Sequence, residues 1–88
     1  MQNRDPNIVY SGLNQRFTRD GVTVEVNIFR LEHETEWLLE VVNAKGTSIC
    51  WDDPFDSDDA ALAEFIRTVE DEGMIAFADN NVVPIPKR

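Results

Sequence analysis

Asp20-Gly21 constrains this chain more than any other feature. A two-residue loop of that composition suits a type I′ turn, whose central residues both take positive φ, and such a turn fixes the register of the strands beside it. Closing the hairpin there pairs Arg19 with Val22, Phe17 with Val24, Gln15 with Val26 and Leu13 with Ile28. Two further breaks follow. Glu32-His33-Glu34-Thr35 makes a four-residue loop that sets Leu31 against Glu36, Arg30 against Trp37, Ile28 against Leu39 and Val26 against Val41. In Asn43-Ala44-Lys45-Gly46-Thr47, Ala44-Lys45 suits a type I turn and Gly46 the left-handed position of a bulge. That sets Asn43 against Thr47, Val41 against Ile49 and Leu39 against Trp51.

Directly paired residues share a face of the sheet. The three registers, set by turn chemistry alone, put Leu13, Phe17, Val24, Val26, Ile28, Trp37, Leu39, Val41, Ile49 and Trp51 on one face. A one-residue slip in any hairpin would exchange a row of these for Glu, Thr and Asn. This agreement predicts a four-stranded antiparallel meander, in the order of the chain. A loop at residues 52–56 follows, and then helix signals. Asp56 or Ser57 suits the N-cap, and Asp58 and Asp59 suit the first turn, where the helix dipole favours negative charge. Leu62, Phe65, Ile66 and Val69 repeat at helical spacing, and Gly73 suits the C-cap. The expectation is an α+β domain with one C-terminal helix laid across the apolar sheet face. Its parts are a loose leader at residues 1–7, the sheet at 8–51, the helix at 57–72, and an apolar return and extended tail at 74–88.

At 88 residues, with 42% apolar and 28% charged side chains, the chain suits one globular domain. No apolar run approaches the ~20 residues of a membrane-spanning helix, so no membrane partner is expected. The opening Met1-Gln2-Asn3-Arg4-Asp5-Pro6 lacks the apolar core of a secretory signal, and Cys50 is the only cysteine. A cytoplasmic location is therefore the expectation. The net charge is −9, and residues 31–79 hold fourteen acidic against two basic side chains. Such a field repels phosphate backbones and leaves a basic protein as a possible partner.

The opposite sheet face carries Arg16, Thr18, Thr23, Glu25, Asn27, Phe29, Leu31, Leu38, Glu40, Val42, Ser48 and Cys50. One helix covers one face, so the apolar members of this second face need a cover of their own. Ile8-Val9-Tyr10 or the Val82–Ile85 tail could fold over them, a second copy could pack there, or a ligand or another protein could dock. Phe29, Leu31, Leu38 and Val42 are the candidate protein-contact residues, and a homodimer is the expected partner arrangement.

The remaining motifs carry little chemistry. His33 sits in a loop among Glu32, Glu34 and Glu36, with no second His or Cys near it in sequence. Cys50 lies at the far end of its strand from that loop, which disfavours a Cys–His pair. The acidic run Asp52–Asp59 invites a calcium reading, but an EF-hand register starting at Asp52 puts Pro54 third, Ser57 sixth and Ala63 twelfth. Starting at Asp53 puts Phe55 third. A capping loop explains the run better. There is no phosphate-binding glycine loop, nucleophile elbow or paired-cysteine motif. We expect neither a catalytic site nor a metal or cofactor.

The stretches Asp20-Gly21-Val22-Thr23-Val24-Glu25-Val26, Trp37-Leu38-Leu39-Glu40-Val41-Val42, Trp51-Asp52-Asp53-Pro54-Phe55 and Asp58-Asp59-Ala60-Ala61-Leu62 resemble a group of short uncharacterised bacterial proteins of ββββα type. The resemblance covers roughly residues 13–75 and implies no activity. In architecture alone, four meandering strands and a helix are similar to single-stranded nucleic-acid binders of the Pur-alpha and Whirly type. Those use a basic groove and exposed aromatic rings, whereas Arg16, Arg19 and Arg30 here face a strongly acidic remainder. Three functions stay open: a self-associating interaction module, an acidic nucleic-acid mimic or inhibitor that binds a basic protein, and a single-stranded nucleic-acid binder. The first is the leading expectation.

Overall fold

A ten-residue strand organises the fold. The computed structural model describes residues 7–78. Its strands are β1 (Ile8–Tyr10), β2 (Gln15–Arg19), β3 (Val22–Leu31), β4 (Leu38–Val42) and β5 (Ser48–Cys50). Helix α1 (Asp58–Glu72) and a 3-10 turn at Met74–Phe77 follow. All pairings are antiparallel. On one side of β3 lie β4 and then β5, and on the other lie β2 and β1 end to end. This is an α+β fold with one antiparallel sheet.

Turn chemistry sets most of the register. Asp20 and Gly21 have φ of 55° and 78°, the left-handed pair a type I′ turn demands. Asp is among the few non-glycine residues that accept this. Gly46, at φ 89°, takes the left-handed place at the β4–β5 turn. There the Asn43 side-chain oxygen accepts from the backbone N–H groups of Lys45 and Thr47, both at 3.0 Å. The pairs Phe17–Val24, Ile28–Leu39 and Val41–Ile49 form as expected.

Three expectations change. Leu13 does not pair with Ile28, because the edge of the sheet breaks over Ser11–Asn14. The Ser11 N–H donates to the Ile28 carbonyl at 2.9 Å, and the Ile28 N–H donates to the Asn14 side-chain oxygen at 2.7 Å. The side-chain amide stands in for a missing backbone acceptor, and the meander gains a fifth strand. Ile8–Tyr10 thus joins the sheet beside β3 instead of folding over its second face. Trp37, expected opposite Arg30, turns aside. It exchanges two backbone hydrogen bonds of 2.8 Å with Phe55, while the Arg30 guanidinium lies over its ring and donates to the Leu31 and Glu34 carbonyls. The apolar return at residues 74–77 is a 3-10 turn. Its i and i+3 side chains eclipse, so Met74 and Phe77 both enter the core while Ile75 is exposed. The leader at 1–6 and the tail from 79 lie outside the described residues.

The core forms where α1 crosses the predicted face. All ten face residues named above are either buried or packed against the buried cluster. Ser57 caps the helix by accepting from the Ala60 N–H at 3.0 Å, so the helix proper starts at Asp58. Gly73, at φ 82°, ends it. The buried stripe is Ala61, Phe65, Thr68 and Val69, with Leu62 and Ile66 on its flank. Phe65 anchors it, edge-on to Phe17 at 5.0 Å and stacked on Phe77 at 5.5 Å between centroids. Thr68 can be buried because its hydroxyl donates to the Glu64 carbonyl one turn back, at 2.9 Å.

Candidate functional site: the open face of the sheet

Strand alternation carries the second face from one end of β3 to the other. Rows of paired residues follow from the register. Tyr10, Phe29 and Leu38 form one row, and Ile8 and Leu31 the row beyond it. In the other direction come Asn27, Glu40 and Cys50, then Arg16, Glu25, Val42 and Ser48, then Thr18 and Thr23. The face is thereby divided. Its apolar end is Ile8, Tyr10, Phe29, Leu31 and Leu38, and the rest is polar apart from Val42 and Cys50.

The apolar end is open. Tyr10 is 64% exposed, Ile8 47% and Leu38 38%, while Phe29 and Leu31 are half-buried. The Tyr10 and Phe29 rings are 6.4 Å apart and tilted. Two shallow depressions flank the row. One, of about 420 Å³, lies among Ile8, Tyr10, Asn27, Phe29 and Glu40. The other, of about 210 Å³, lies among Leu31, Glu34, Glu36, Leu38 and Pro54. Both have apolar floors and carboxylates at the rim.

Three of the four expected contact residues, Phe29, Leu31 and Leu38, fall in this cluster. Val42 does not: Glu40 lies between it and Leu38 on the strand face, and Glu25 and Ser48 sit beside it. Ile8 and Tyr10 are contact candidates that the turn-based register did not provide. β3 outruns β2 by five residues, and the apolar segment Ile8-Val9-Tyr10 just before the break pairs with Phe29–Leu31.

The polar part of the face satisfies itself. The Ser48 hydroxyl donates to the Glu40 carboxylate, the Asn27 amide donates to its other oxygen at 3.3 Å, and Arg16 sits 3.6 Å from Glu25. Thr18 and Thr23 share a hydroxyl hydrogen bond of 2.8 Å. Charge on this face is sparse: Arg16, Glu25 and Glu40. The opposite side is strongly acidic, because α1 and the loop before it carry Asp52, Asp53, Asp56, Asp58, Asp59, Glu64, Glu70, Asp71 and Glu72 against Arg67 alone. Arg67 donates to both Glu64 and Asp71. Its guanidinium holds the Glu64 carboxyl below the ordinary 4.5. Partial burial opposes that, and the Trp51 indole N–H adds to it.

The other candidate groups stay apart. Among the described residues His33 meets only Glu32, at 3.4 Å on the surface, and the exposed Cys50 thiol lies 3.6 Å from the Ser48 hydroxyl. Among the described residues, no cluster of three His, Cys, Asp or Glu side chains is placed to hold a metal. No described helix is long and apolar enough to cross a membrane. Buried Ser11 is fully engaged: its hydroxyl donates to Asp58 at 2.8 Å and accepts from the Leu13 N–H at 2.9 Å, which ties the strand break to the start of α1.

Comparison with protein-family models, curated proteins and solved structures found no match. The geometry of the face therefore carries the functional reading.

Proposed function

We propose that this domain is a non-enzymatic protein-interaction module that associates with itself through the apolar end of its second sheet face. The observation that carries the reading is the contiguous cluster Ile8, Tyr10, Phe29, Leu31 and Leu38, left exposed because the helix covers the other face. Charge supports a second copy as the occupant. Each chain is −9, and nine of its acids lie on α1 and the loop before it; Glu34, Glu36 and Glu40 only rim the apolar end, so two copies meet less repulsion there than through the helix side. Three strands ~4.8 Å apart and two rows of side chains span roughly 200 Å² in projection. Stable interfaces bury ~800 Å² per partner, so this contact alone is weak and concentration-dependent.

The test is sedimentation velocity on the wild type and on Leu38→Glu over a range of concentrations and at two salt levels. The expected result is association that tightens as salt screens the like charges, and its loss in Leu38→Glu with the native circular-dichroism spectrum retained. Equal sedimentation of the two proteins at every concentration would overturn the reading. The acidic helix side supports a second reading, docking of a basic protein. That binding would weaken as salt rises, the opposite sign.

A further inference from the structure

Strand β1 is a sheet edge whose hydrogen-bonding groups can be assigned from its neighbours. The Glu32 N–H donates to the Asn7 carbonyl and the Ser11 N–H donates to the Ile28 carbonyl, each at 2.9 Å. Antiparallel ladders alternate hydrogen-bonded and non-hydrogen-bonded pairs. Asn7, Val9 and Ser11 therefore turn their backbone groups toward β3. Ile8 and Tyr10 turn theirs outward, and no other described residue bonds to them. The same two residues hold the most exposed side chains of the apolar end.

Natural sheet edges are ordinarily guarded by charge, proline or a bulge. β1, Ile-Val-Tyr, has none of these and is guarded only by its shortness, although β2 on the same edge carries Arg16 and Arg19. The three-residue strand is also complementary to itself about Val9. An antiparallel partner of the same sequence, related by a two-fold axis beside Val9, sets Ile8 against Tyr10 of the second copy and Tyr10 against its Ile8. Both pairs then exchange N–H and C=O groups that are otherwise open. A two-fold contact requires this kind of self-complementarity.

We propose that two copies of this chain join edge to edge through β1, making one continuous sheet. The inference rests on the self-association reading and extends it. Joining the edges continues the row Leu38, Phe29 and Tyr10 of one copy into Ile8 and Leu31 of the other, and the reverse. The apolar stripe doubles to roughly 400 Å² in projection, by the same strand spacing. Two such pairs packed face to face on that stripe give a particle of four chains. Edge pairing thus supplies the area that a single apolar end lacks.

The experiment follows amide exchange at Ile8 and Tyr10 by NMR in the wild-type chain, concentrated and diluted, with molar mass measured on the same samples. Ile8→Pro is the companion variant. Proline there removes an outward donor without taking a hydrogen bond from β3, and it keeps an apolar side chain on the face. The expected results are protection of both amides that is lost on dilution, and a mass that falls from four chains to two or fewer in Ile8→Pro with the native spectrum retained. Fast exchange of both amides in the concentrated, associated protein would overturn edge pairing and leave the face contact standing. The face contact fails separately, if Leu38→Glu leaves the mass unchanged while the Ile8 and Tyr10 amides remain protected.

Discussion

Replacing Asn14 with Ala removes the acceptor on which the strand break depends. Ile28 is completely buried, and its N–H has the Asn14 side-chain oxygen, 2.7 Å away, as its partner. Alanine takes the protein acceptor away from this part-buried donor, a loss of ~1–3 kcal/mol. A domain of this length is worth about 4–13 kcal/mol in total. With an unfolding entropy of ~2.1 cal/mol/K per residue, the loss lowers the melting temperature by about 5–16 °C. Asn14→Asp retains an oxygen in the same place and should recover most of it. Chemical denaturation of the three proteins, monitored by tryptophan fluorescence, reads the difference. A loss below ~0.5 kcal/mol in Asn14→Ala, or an Asp variant no better than the Ala variant, would refute the account of the break. The stakes extend to the contact surface, because the break is what returns Ile8 and Tyr10 to the edge of β3.

Two further predictions bear on the core and on pH. Leu39, 1% exposed, adjoins Leu38 on β4 but faces the core, so Leu39→Glu buries an unpaired carboxyl and should unfold the domain. Leu38→Glu should shift the denaturation midpoint of the monomer by no more than ~0.5 kcal/mol, and circular dichroism distinguishes the pair. The Glu64 carboxyl is held below its ordinary value by Arg67. Its contribution to stability is therefore fully present above pH 4.5 and is lost as pH falls through the lowered folded value. Wild type should exceed Glu64→Gln in denaturation midpoint at pH 7 and converge with it in acid. A gap that stays constant with pH would contradict this.

The sheet was legible because its turns are chemically explicit. Asp20-Gly21 and Gly46 occupy the left-handed positions they predict, and with them came the central registers and the whole core-facing set. What could not be read were features that depend on side chains replacing backbone. Asn14 accepting from Ile28 has no signature in hydrophobic alternation, so the break, the fifth strand and the placement of Tyr10 stayed hidden. Thr68 escaped the helical stripe for a related reason, since its hydroxyl is satisfied within the helix and its polarity does not keep it at the surface. Of the contact surface, Phe29, Leu31 and Leu38 were legible from register. Val42 is apolar and shares their face, but Glu40 separates it from Leu38 along β4, a break that apolar character and register do not reveal.

The claim that the apolar end of the second face is a contact surface is tested most directly by backbone amide chemical shifts recorded from dilute to concentrated protein. Concentration-dependent shifts should centre on Ile8, Tyr10, Phe29, Leu31 and Leu38, with the acidic outer side of α1 unmoved. Shifts confined to α1 and the loop before it, or spectra unchanged over the whole range, would contradict it.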